Sequence, residues 1–345
     1  MENFTACKHL ILSVAFTMIA KFAIGQVGIG IANPQEKLHV NEGSILATSI
    51  STDPTDNPFY DPSNPENLEF GFKWFHDRCA LRAVGQVVGG FALSPSEINY
   101  FSFATGFEAY AHGFAGTSMG IRTAAEGEAS FATGFYSTAS GAKSFAAGNF
   151  STASGDRSVA IGYKVSTNGR VGSFVFGDAS SFGNSKNDQD HQMMMRFSGG
   201  YKLFSDDASI TGVSLSSNGN SWSVMSDINK KENFAPVNGE EFLQKISKMN
   251  LTSWNYKGQD PKQYRHYGPM AQDFYKAFGQ DAYGTIGSDT TINQADFDGV
   301  NLIAVQALIR RMEEMSAEIA TIKTELAAAR PEQGRKKKRM LAIQK

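Results

Sequence analysis

The segment SDINKKENF, from Ser226 to Phe234, sets a serine four and five residues ahead of two lysines. A serine hydroxyl is a poor nucleophile near neutral pH and needs a base within hydrogen-bond reach. A lysine can supply that base only where burial lowers its pKa from about 10.4. Along a straight strand five residues would hold the two groups apart, so a turn or a helix start must lie between them. Lys230 competes with Lys231 for the role. Other candidate chemistry is weaker. VGIGIANPQEKLHV, from Val27 to Val40, contains a GxG, but Pro34 interrupts the helix that a dinucleotide loop would need. His76 and Cys79 are close in sequence, yet two candidates do not make a metal site. Neither CxxC nor HExxH occurs, so no zinc and no other cofactor is expected. An enzyme acting on an external substrate would need a pocket of convergent polar groups, and no motif points to one.

The elements that must position such groups are bounded by composition. With 345 residues, 41% of them hydrophobic, the chain can bury two or three separate cores. A net charge of −2 gives no electrostatic reason to expect nucleic acid or an anionic membrane as partner. Basic charge clusters in Arg335, Lys336, Lys337, Lys338 and Arg339, which reads as a solvated tail. At the other end Lys8 precedes an apolar stretch from Leu10 to Ala20, and the small pair Ala23 and Gly25 stands before Gln26. This predicts a cleaved secretory signal over residues 1–25, too short to span a bilayer, and hence export. Cys7 would leave with it, so Cys79 would be unpaired and no disulfide within one chain could form.

Glycine recurs at a spacing of fourteen in two series, Gly106, Gly120, Gly134, Gly148, Gly162 and Gly113, Gly127, Gly141, Gly155, Gly169. The half-repeats read SFATG, SFATG, SFAAG and SVAIG from Ser102, Ser130, Ser144 and Ser158, with a degenerate GTSMG from Gly116. Such periodicity predicts stacked coils, each covering its neighbour. Alternation within each half-repeat is that of a strand, so each coil is two very short strands. The glycines are expected at the corners, where the chain takes positive φ or meets another backbone closely. Phe103, Phe131, Phe145 and Val159 would stack in one column, and Ala104, Ala132, Ala146 and Ala160 would keep the next one thin. A thin coil buries little apolar surface at about 25 cal/mol per Å², which association of several chains would remedy. This region, roughly 101–178, resembles the head repeats of trimeric adhesins, which implies a left-handed parallel β-roll and a homotrimer.

The opening motif after residue 26 resembles that of Bacteroidetes-type exported fibre proteins. The aromatic cluster Phe72, Trp74 and Phe75 reads as the core of a small β module. SDINKKENF, WNYK from Trp254 to Lys257, HYGPMAQDF from His266 to Phe274 and a closing amphipathic helix together resemble the endosialidase-type intramolecular chaperone, peptidase family S74, of phage tail spikes and fibres. The resemblance covers about residues 226–330. It implies a catalytic dyad of Ser226 and Lys231, a cut between Met225 and Ser226, and supporting roles for Asp227, His266 and Gln272. Because Ser226 would follow its own scissile bond, its Oγ can attack the carbonyl of Met225 through a five-membered ring, and proximity replaces substrate binding. His266 also reads as a structural histidine, and Asp227 as a cap on the following turn. After Asp298, Val305, Leu308, Met312, Met315, Ile319, Ile322 and Leu326 alternate at three and four residues, a coiled-coil seam.

The expected fold is therefore mainly β: a trimeric left-handed parallel β-roll of fourteen-residue repeats, a small α/β chaperone domain and a C-terminal coiled-coil helix. The expected organisation is a signal at 1–25, a stalk motif and β module at 26–100, head repeats at 101–178 and a β connector at 179–225. The chaperone follows at 226–299, then the coiled-coil helix at 300–330 and the basic tail at 331–345. Two functions follow: an exported fibre whose chaperone assembles it and then cuts itself off, or an uncleaved structural or adhesive trimer. Either fibre would meet a surface glycan or a cell-surface receptor.

Overall fold

A computed structural model describes residues 27–29, 31–33, 38–40, 43–51, 68–180 and 183–343. The expected signal segment lies outside them. The chain divides into two compact units; the first ends at Tyr201 and takes back Ser216–Gly219, and the second holds the remainder.

The first unit is a parallel β-solenoid whose longer-stranded sheet continues, edge to edge, into three antiparallel strands. Strands Ile45–Ser51, Leu68–Phe75 and Ala80–Val87 pair antiparallel in that order. The last of them then pairs in parallel with Phe103–Phe107, Leu81 lying opposite Phe103. From there the five-residue strands Thr117–Ile121, Phe131–Phe135, Phe145–Asn149 and Val159–Tyr163 add one coil each, residue n beside residue n+14. Two-residue strands such as Ala124–Ala125, Thr138–Ala139 and Thr152–Ala153 form the opposite sheet in the same register. The interior is made of small side chains. Ala104, Ala132, Ala146 and Ala160 line one buried column, with Ser118 in the same register, and Ala111, Ala125, Ala139 and Ala153 line the other. Methyl groups let the two sheets approach closely but bury little area per coil, so the interstrand hydrogen bonds carry more of the order than in a thicker core. The phenylalanine column faces outward and is only half-buried, with the rings of Phe131 and Phe145 stacked 5.2 Å apart.

Two expectations about the glycines are corrected. Gly106, Gly120, Gly134, Gly148 and Gly162 sit inside the long strands and not at corners, with φ between 109 and 130°. Close approach is the reason. A Cβ on Gly134 would lie 2.0 Å from the carbonyl oxygen of Gly148 in the next coil, and the other four positions are equally closed. The left-handed corners belong instead to Glu108, Arg122, Tyr136, Phe150 and Lys164 on one side, and to Ala115, Ala129, Lys143 and Arg157 on the other, all with φ from 48 to 57°. Each is held by its amide, which donates to a carbonyl of the preceding coil, as in Tyr136 N–H to Ile121 O (2.9 Å) and Arg157 N–H to Ala142 O (2.7 Å). A left-handed non-glycine residue costs about 1–2 kcal/mol, and a regular inter-coil bond offsets it.

The second correction concerns phase. After four even coils Val159 pairs with Phe174 and Gly162 with Gly177, one residue late. Gly155 therefore meets the carbonyl of Arg170, and Gly169, at φ 75°, falls out of the series that its spacing suggests. The inserted residue is absorbed in the turn Thr167–Arg170, closed by Arg170 N–H to Thr167 O (2.9 Å).

Both ends of the alanine column are closed. Arg82 stands in register with Ala104 and is 1% exposed. Its guanidinium donates to the carbonyls of Leu81, Ser102 and Ala111 and to the hydroxyl of Ser102, and burial lowers its pKa to about 10. At the far end Val175 and Met194 widen the column. There Arg196 donates to both the carboxylate and the carbonyl of Asp178.

The second unit contains an antiparallel pair, Val213 opposite Val224 and Ser214 opposite Ser223, then helix α1 (Gly239–Ser247), a short pair Thr252–Trp254 against His266–Gly268, helix α2 (Ala271–Phe278) and helix α3 (Gln294–Ile343). Its core is aromatic: Phe242 lies 5.1 Å from Phe278, and Phe274 lies 5.3 Å from Phe278 and 5.8 Å from Phe297. Gly239 permits α1 to lie on α3, since a Cβ there would come within 2.8 Å of the Ala307 Cβ. Glu240 and Arg311 form an ion pair across the same contact. Helix α3 starts earlier than the heptads suggest because Asn293 caps it, accepting from Ala295 N–H at 2.8 Å. Its backbone stays helical through Ile343, past the residue 330 expected from the seam. Val305, Leu308, Met312, Met315, Ile319, Ile322 and Leu326 are all exposed in the single chain.

Candidate active site

The approach to Ser226 is fixed by strand pairing. Val224 lies opposite Val213, and the amide of Met225 continues the ladder by donating to Gly212 O at 3.3 Å. On its other side Gly212 lies close against the neighbouring strand Gly200–Phe204, where a Cβ would meet the Leu203 carbonyl at 2.2 Å. Nothing in its sequence context marks Gly212 as part of a site, and it was not among the residues expected to contribute.

Beyond Ser226 the chain turns. Ile228–Lys230 forms a single 3-10 turn, closed by Lys230 N–H to Asp227 O (3.1 Å) and Lys231 N–H to Ile228 O (3.2 Å). Lys231 leaves the turn in extended conformation, and its Nζ comes back to donate to Ser226 Oγ at 2.7 Å. The turn that the spacing requires is thus present. Lys230 belongs to the turn itself and makes no such bond among the described residues. Ser226 and Lys231 are exposed, and Met225 is half-buried.

The remaining expected residues go elsewhere. Asp227 Oδ1 accepts from Asn229 N–H (2.9 Å) and from its side-chain amide (3.0 Å), which makes it the cap of the turn. His266 is stacked on Trp254 with ring centres 4.7 Å apart and meets the edge of Tyr256 at 5.4 Å. Its Nε2 is buried without a hydrogen-bond partner, as is Trp254 Nε1. Gln272 is exposed in the first turn of α2. The geometry therefore joins Ser226 to Lys231, leaves Asp227 next to them as a cap, and gives His266 an aromatic setting.

Chemically, a lysine Nζ at 2.7 Å from a serine Oγ lies on the path that a proton would take from the hydroxyl. The amide of Met225, tied to Gly212, fixes the Val224–Met225 peptide, one bond plane before the carbonyl that Ser226 would meet. Among the described residues no group of three or more His, Cys, Asp or Glu is arranged to hold a metal ion. No described helix is long and apolar enough to cross a membrane. No curated protein matches the chain. Residues 139–164 match two copies of the YadA head domain repeat, and residues 226–282 match the peptidase S74 family model, the chaperone of endosialidase, so the chain carries an endosialidase-type chaperone segment C-terminal to adhesin-like head repeats.

Proposed function

We propose that this chain is an exported, homotrimeric, adhesin-like fibre whose C-terminal segment assembles the trimer and then releases itself by cutting between Met225 and Ser226. The observation that carries this reading is the Lys231 Nζ to Ser226 Oγ contact of 2.7 Å, in the segment that matches the endosialidase chaperone. In the reaction, Lys231 in its neutral form takes the proton of the Ser226 hydroxyl while Oγ adds to the Met225 carbonyl through a five-membered ring. The Met225–Ser226 C–N bond then breaks, the nitrogen takes the proton and becomes an amine, and an ester links Met225 to Ser226 Oγ. Water hydrolyses the ester, leaving a carboxylate on Met225 and restoring the serine hydroxyl. The exposed seam of α3 would bring three chains into register, so the roll can form beside its partners instead of aggregating through open strand edges. The fibre face would then meet a surface glycan or a cell-surface receptor.

A second reading, an uncleaved structural trimer, is favoured by one feature: Ser226 and Lys231 are both exposed in the single chain, where water competes for the contact between them. Mass spectrometry of the expressed protein separates the two. The first reading expects a released part that begins at Ser226 and extends to Lys345, and no processing in Ser226→Ala or Lys231→Ala. A single intact chain favours the second. Processing that persists in Ser226→Ala would mean an external protease makes the cut.

A further inference from the structure

We propose that Asp227 is a positioning residue, which sets the reach of Lys231 to Ser226 by capping the turn between them; this rests on the reading of that pair as the dyad. Five residues in extended conformation would carry Lys231 well away from Ser226. The 3-10 turn shortens that path, because it rises about 2.0 Å per residue where a strand rises about 3.3 Å. Little else holds it. Ile228, Asn229 and Lys230 are all exposed, so no buried side chain pins the turn. Its bonds are the two backbone closures and the pair of contacts from Asn229 to Asp227 Oδ1. The Asp227 carboxylate therefore acts on Lys231 through the backbone, with its bonds directed at Asn229.

A carboxylate one residue from the nucleophile invites a different account, in which its charge orients or activates the lysine. The two accounts part on substitution. Asparagine keeps the capping oxygen and removes the charge, whereas glutamate keeps the charge and is a poor cap at this place. In the full chain, Asp227→Asn should process at a rate within twofold of the parent. Asp227→Ala and Asp227→Glu should each be slower by about fivefold, the population change that loss of a typical cap implies. Asp227→Asn as slow as Asp227→Ala would overturn the proposal in favour of charge.

A second measurement does not depend on the cut. In the full chain with Cys7→Ser, Cys79→Ser and Ser226→Cys, the pH dependence of iodoacetamide alkylation reports the thiol at position 226. A lysine ammonium beside it should move its ionisation below the ordinary value of about 8.5. Adding Asp227→Ala should move it back up, adding Asp227→Asn should leave it low, and Lys231→Met should abolish the shift. If the parent chain is never cut but the thiol follows this pattern, the autoproteolytic reading fails and the positioning role stands. A thiol that titrates identically with and without Asp227→Ala overturns the positioning role.

Discussion

The head repeats and the segment around Ser226 solve the problem of holding a chain in place by opposite means. In the even coils of the roll the same contacts repeat, so each left-handed corner is held by a carbonyl of the preceding coil, and each glycine and alanine lies against its equivalent one coil away. At Ser226 the geometry rests on one strand pair, half-buried at Val213 and exposed at Val224, one exposed 3-10 turn and one exposed cap. The same contrast separates the roll from α3: the inner faces of the coils cover one another, whereas the apolar seam of the helix is left bare by its own chain. Repetition makes the roll self-sufficient in its interior. The second unit leaves both the seam of α3 and the turn after Ser226 exposed.

Substitutions that attack each region separately would break or sharpen this contrast. The largest effect is expected for Gly134→Val. Here φ is 109° and a Cβ would sit 2.0 Å from Gly148 O, so the coils must part, at a cost of several kcal/mol. Thermal unfolding followed by circular dichroism should show loss of the cooperative β transition or a much lower midpoint. A variant that melts with the parent would mean that the glycine series is not set by close approach.

Next in size, Met312→Lys combined with Ile319→Lys should abolish self-association, because it would bury charge in an apolar interface at a cost of several kcal/mol. Sedimentation should report monomers with the helical signal of each chain preserved. Trimers that persist would show that the seam is not the assembly surface and that the roll associates by itself.

The smallest effect concerns the closure at the C-terminal end of the roll. The Ser180 hydroxyl, the Ser198 amide and the Ser198 hydroxyl hold the Asp178 carboxyl well below its ordinary value of 3.8. A carboxyl depressed in the folded state contributes stability that is present above the ordinary value and lost as pH falls towards the folded one. Unfolding midpoints should therefore drop below about pH 4, and Asp178→Asn should flatten that acid limb by lowering the midpoint at pH 7 while changing little at the acid end. An unchanged acid limb would show that Arg196 and the backbone close this end without the charge.

Much of this was legible in the residues. The spacing of fourteen, the alternation SFATG and the glycine series together required short stacked strands, and the pairing of Phe131 with Phe145 and Gly134 with Gly148 follows that register. SDINKKENF contained the serine, the lysine and a separation that demanded a turn. The hydrophobic positions of α3 marked its seam. Tertiary structure decided the rest. That Tyr136 and Lys143 take left-handed corners, while glycines occupy strands, depends on amides bonded to the preceding coil, and no residue's own preference reveals such a bond. The slip that carries Gly155 onto Arg170 depends on how one extra residue is folded into a turn. His266, a catalytic candidate by type, was placed against Trp254 and Tyr256 by the pairing of two strands separated by a loop. Type and period are local properties of a chain, but the partner of a hydrogen bond between segments is chosen only when they meet, and there the burial and geometry of the whole fold decide which candidate is held where.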